Sequence, residues 1–224
     1  MVATAPEVSR GTEGPGTPSG RAGLRLAVVI AVSVAIGIVA LLLPAWPAGE
    51  DMGSTHYMGL LAANQPWNLL IFMAVPVICA ETVAVTELVI LFSPQRAGRT
   101  VRALNRYVGL FAGFYFLGIF VYLLDNAVIP LTQSGGWRGP ADVIAVGFYL
   151  LGVVPLYGMS LLETRVLGAG WDEQHRLKIH ATFVGIFLVV AHIAMIAGML
   201  DPTVAGWDPT HEMDDGSQME GMTH

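Results

Sequence analysis

Polar residues in this chain cluster in short segments, and long apolar runs separate them. Five runs stand out, at about residues 24–46, 67–92, 107–131, 141–162 and 179–200. Each is bounded by proline, glycine or charge and reaches the roughly 20 residues that cross a bilayer's hydrocarbon. Backbone groups in lipid must bond within their own segment, so each run predicts a helix. The expected fold is all-α, a polytopic membrane bundle of five helices. It fills residues 23–202, between a Gly/Pro/Ser/Thr-rich tail at 1–22, expected to be disordered, and an acidic Met/His-rich tail at 203–224.

The first run exceeds the roughly 7–15 residues of a signal-peptide core, which favours an uncleaved anchor. The stretch Pro44-Ala-Trp-Pro-Ala48 leaves cleavage open.

Basic residues set the expected orientation. Arg10, Arg21 and Arg25 precede the first helix. Arg96, Arg99, Arg102 and Arg106 fill the loop between the second and third. Arg165, Arg176 and Lys178 lie between the fourth and fifth, and only Arg138 falls on the other side. The first face is read as cytoplasmic. The N-terminus then lies inside and the C-terminus outside, in a bacterial cytoplasmic (inner) membrane.

Composition fits the same picture. Charged residues make up 12% of the chain, about half the share in soluble domains. The net charge of −6 averages two faces of opposite sign. Cys79 is the one cysteine, which excludes disulfide frameworks, zinc fingers and iron–sulfur clusters within the chain. No P-loop, GxSxG or dinucleotide fingerprint is present, so no nucleotide partner is expected. The arginine-rich second loop reads as topology or anionic-lipid contact rather than nucleic-acid binding. The membrane histidines, His180 and His192, share one helix about 18 Å apart and cannot bind one haem from both faces.

Gly109/Gly113 and Ala194/Gly198 have the spacing of close helix packing. Pro76 and Pro155 fall inside the second and fourth helices and are expected to kink them.

Ionisable residues within a bilayer are costly and mark candidate function. There are five: Glu81, Glu87, Asp125, His180 and His192. Counting 1.5 Å per residue puts Glu87 level with His180 on the inner side and Asp125 level with His192 on the outer side. Glu81 falls between. Glu81, Glu87 and His180 are candidates for a proton or ion path; simple structural polar contacts are the alternative.

Methionine and histidine gather on the outer side. His192, Met195 and Met199 stand at i, i+3 and i+7, on one helical face. The segment Met52-Gly-Ser-Thr-His56-Tyr-Met58 and the tail with His211, Met213, Met219, Met222 and His224 repeat the flavour. Thioether suits Cu(I), and imidazole suits Cu(II) and zinc. The candidate metal ligands are His192, Met195, Met199, Asp125, His56, His211, Met213 and His224, with Met73 in support. Copper is the expected ion. Methionine as packing filler is the competing explanation.

The stretches His56–Asn68, Ala80–Glu87 and Gly135–Asp142 resemble an uncharacterised family of small bacterial multi-pass membrane proteins, loosely labelled permeases. The likeness spans about residues 50–202 and implies a membrane fold without an established reaction. A weaker likeness is to copper membrane monooxygenases, whose metal-bearing helices carry an Asp one turn before the first of two His. Here His180 and His192 are similar to that pair, but Arg176 stands where the acid would be. That departure argues against a catalytic subunit and leaves an accessory or copper-supply part beside such an enzyme open.

The functional expectation is a metal-handling membrane protein, acting alone or beside other membrane subunits, and not an enzyme by itself. A non-catalytic structural or assembly subunit and a proton-coupled permease for a small solute are the alternatives.

Overall fold

A computed structural model describes residues 20–45, 54–93, 95 and 97–208. Six helices account for most of them: α1 (Gly20–Leu42), α2 (His56–Ala62), α3 (Trp67–Phe92), α4 (Arg99–Ser134), α5 (Gly139–Glu163) and α6 (Glu173–Gly198). All but α2 are long and apolar enough to cross a membrane. There is no strand among the described residues.

Three helices start before their expected bounds, α6 among them, at Glu173 and not 179. α1 begins at Gly20, inside the segment expected to be a disordered tail, and ends at Leu42. α4 runs from Arg99 and not from 107, because Asn105 is buried against α3 and its amide bonds the Val83 carbonyl at 3.3 Å. The packed polar residue holds the amphipathic first turns helical. Residues 1–19 and 209–224, which include most of both expected tails, lie outside the described residues.

α4 is the central helix. It packs along α5, α3 and α1, and α6 closes the bundle against α5 and α3. α1 stays peripheral, with Val29 and Ala40 its only buried residues. Ser33 bonds the Tyr157 hydroxyl at 2.7 Å and ties α1 to α5. The helices alternate in direction, so Arg99, Arg102, Arg106, Arg165 and Arg176 gather at one end of the bundle. α2 sits at the opposite end, against α5 and α6.

Glycine sets the closest approach. A Cβ at Gly113 would collide with Ser160 Oγ and the Leu156 carbonyl oxygen of α5. At Gly198 the ring of Tyr57 from α2 occupies the space a side chain would need.

Prolines distort the helices by two routes. In α3 a π turn over Leu70–Ala74 precedes Pro76, and in α4 another over Leu124–Val128 precedes Pro130. The first carries the Val75 amide to Leu70, and Pro76 has no amide to give, so Ile71 and Phe72 lose their helical donors. Tyrosines replace them: Tyr115 donates to the Ile71 carbonyl at 3.0 Å, and Tyr149 donates to that of Phe72. A carbonyl in the hydrocarbon would have no water to bond, so these hydroxyls meet a need that a membrane span creates. In α5 the helix steps at Gly152, three residues before Pro155.

Candidate functional site

Two cavities flank the contact of α3 with α6. The first, about 210 Å³, lies in the half of the bundle away from the arginines. Met73 and Glu81 of α3 line it, and so do His192 and Met195 of α6. Aromatic and aliphatic side chains make up most of the remaining wall, among them Tyr57, Phe116 and Tyr149. Phe116 and Tyr149 pack with ring centroids 5.2 Å apart and brace it from α4 and α5.

One hydrogen bond fixes the tautomer of His192. Its Nδ1 lies 2.6 Å from the Leu188 carbonyl, which only accepts, so Nδ1 carries the proton. The Nε2 lone pair is then left to bind a ligand. Met195 stands three residues on, and Met73 reaches the same cavity from the other helix. The donors are thus one imidazole nitrogen, two thioethers and the Glu81 carboxylate.

The other candidate ligands lie elsewhere. Met199 is 71% exposed and is not part of this wall. Asp125 sits on the π turn of α4, exposed, and does not line the cavity with His192. His211, Met213 and His224 fall outside the described residues. Among the described residues no three of His, Cys, Asp and Glu converge as a metal set. Two of the four polar or sulfur side chains named in this cavity wall are methionines.

His56 has a different partner. Its Nδ1 meets Asp142 Oδ2 at 2.6 Å and its backbone amide donates to Oδ1 at 2.7 Å. The Arg138 amide also donates to Oδ2, at 3.1 Å, and the Arg138 guanidinium donates to the Ser54 carbonyl at 2.6 Å. Asp142 is fully buried. Thr55 caps α2 by accepting from the Met58 amide, and its hydroxyl donates to the Gly198 carbonyl at 2.7 Å. These bonds clamp the α2 segment onto α5 and α6 and roof that end of the bundle. Arg138, the one basic residue on its side in the sequence, is the signal that could have revealed the clamp.

The second cavity, about 600 Å³, opens at the arginine-bearing end. Glu87 of α3 and His180 of α6 meet in its wall, 3.0 Å apart, with Glu163 of α5 and Asn105 of α4 beside them. Sequence reasoning missed Glu163 and Asn105. Glu163 is the last residue of α5 and reads as a helix-ending charge. Asn105 precedes the apolar run of its helix.

Residues 52–214 match the sequence profile of a family described as a family of unknown function (DUF6803). No curated protein and no solved structure matches the chain.

Proposed function

The chain belongs to that family, which brings no assigned reaction, and we propose from the geometry that it binds a soft metal ion, copper foremost, within the bilayer. The supporting observation is the convergence of Met73, His192 and Met195, from two helices, on one largely apolar cavity with the His192 Nε2 lone pair free. Thioether favours Cu(I), and imidazole accepts copper in either state. The Glu81 carboxylate in the same wall would offset the ion's charge, which an apolar site otherwise makes costly.

The arginine-bearing end is taken as cytoplasmic by the positive-inside rule, in a bacterial inner membrane. The metal cavity then lies in the outer half. The C-terminal segment with His211, Met213 and His224 would collect the ion on the outer side and pass it inward. His56 takes no part, because its ring serves the Asp142 clamp.

A second reading, a non-catalytic subunit of a membrane complex, draws on the exposure of Glu81, Asp125 and His192 at the bundle surface. Polar groups facing lipid are costly, and a partner helix would cover them.

Competitive Cu(I) titration of the full chain in mild detergent tests the first reading. His192→Ala with Met195→Ala should lose one equivalent of tightly held copper, and Met199→Ala should keep it. Equal copper in the double variant and the wild type would rule the cavity out and leave the subunit reading.

A further inference from the structure

At the arginine-bearing end His180 stands between two carboxylates from two other helices. Its Nδ1 lies 3.0 Å from Glu87 Oε2, and its Nε2 lies 3.6 Å from Glu163 Oε1. His180 is 4% exposed and Glu87 3%. Distance and orientation disagree here. The separation from Glu87 is that of an ion pair, yet neither ring nitrogen nor Glu87 Oε1 has a hydrogen bond of acceptable angle. The separation is set by the packing of α3 against α6.

The surroundings hold the pieces in place. Asn105 donates to Glu87 Oε2 and to Thr86 Oγ1, each at 3.0 Å, which fixes the carboxylate. Glu163, at 15% side-chain exposure, is the more open of the two acids, and Arg106 Nε lies 3.7 Å from its Oε2. Arg102, Arg165 and Arg176 face the same cavity, with Glu173 from the first turn of α6. These charges set the potential at the mouth. The two ring nitrogens of His180 address separate acids, so the three groups do not surround one point as metal ligands would. The arrangement is a line with an open end and a buried end.

We propose that Glu163, His180 and Glu87 form a proton relay between the cavity at the arginine-bearing end and the interior of the bundle. Protonated Glu163 gives its proton to His180 Nε2, and His180 gives the proton on Nδ1 to the Glu87 carboxylate. Glu163 ends ionised, Glu87 ends protonated, and the ring has exchanged one neutral tautomer for the other. A second transfer requires the ring to turn so that its protonated nitrogen again faces Glu87. From Glu87 the next acid on α3 is Glu81, about 9 Å further along the axis, in the wall of the other cavity. The relay operates with or without a metal there.

Nitrogen NMR of the full chain, imidazole-labelled and held in liposomes, tests the relay, with the His180 signal identified by its loss in His180→Gln. In the wild type that signal should report both neutral tautomers, which the ring nitrogen shifts tell apart. Glu87→Gln and Glu163→Gln should each shift the balance between them, and Glu163→Gln should slow proton uptake at Glu87, read by the infrared carboxyl band, by tenfold or more. A His180 ring locked in one tautomer in the wild type would overturn the relay, whatever the variants do. So would a tautomer balance that neither glutamine variant moves.

Discussion

Replacing Gly113 by alanine should force α4 and α5 apart. The new Cβ would stand 2.9 Å from the Leu156 carbonyl carbon and closer still to its oxygen and to Ser160 Oγ. Carbon atoms pack at about 3.5–4.0 Å, so the helices must separate by roughly 1 Å. The obstacle is backbone, which no rotamer change relieves. Overpacking of this kind costs about 1–3 kcal/mol. The shift also strains the Ser160 hydroxyl's bond to the Leu110 carbonyl at 2.9 Å, worth about 0.6 kcal/mol in a membrane bundle. A loss of about 2–3 kcal/mol is expected on these figures. Gly109, one turn earlier, is the control. Its Cβ would make ordinary contacts, 3.6 Å from His180 Nε2 and 3.9 Å from Val83 Cγ2. Gly109→Ala should therefore stay within about 1 kcal/mol of wild type. Unfolding of the purified chain by dodecyl sulfate in mixed micelles, followed by circular dichroism, measures both. Equal stability of the two variants would refute the close approach at Gly113.

Further consequences follow from the orphaned carbonyls and the roof. Tyr149→Phe should cost about 1–3 kcal/mol by stranding the Phe72 carbonyl, and Pro76→Ala in the same chain should recover part of it by restoring an amide; a double-mutant cycle showing strict additivity would contradict the coupling. Asp142→Asn should cost on the order of 2–3 kcal/mol, because a buried carboxylate taking three donors becomes an amide that cannot accept them all. Limited proteolysis should then cut the α2 segment faster, and an unchanged cleavage rate would show that the clamp does not hold it.

The helices were legible in the sequence because a bilayer demands long apolar runs, and all five runs became helices. Their ends were less so. Asn105 and the arginines before residue 107 look like loop until α3 is known to pack there. Depth was readable and azimuth was not. Counting residues along straight helices set Glu87 level with His180, and in the structure they stand 3.0 Å apart. The same count set Asp125 level with His192, and Asp125 lies exposed on a π turn away from the cavity. A π turn inserts a residue, and one residue rotates the following face by about 100°. Met73 and Met195 carry no pattern that tells a cavity wall from packing filler; only the pairing of α3 with α6 brings them together. The acid of the clamp reads in the sequence as one more outer-face charge, since its partner His56 is far away along the chain.

X-ray absorption at the copper edge, on the full chain loaded with one equivalent of Cu(I), tests the central claim most directly. The two-helix site predicts sulfur and nitrogen neighbours together, with one sulfur lost in Met73→Leu, a change that nearly conserves volume. A spectrum that Met73→Leu leaves unaltered would place the copper outside the cavity between α3 and α6 and contradict the metal reading.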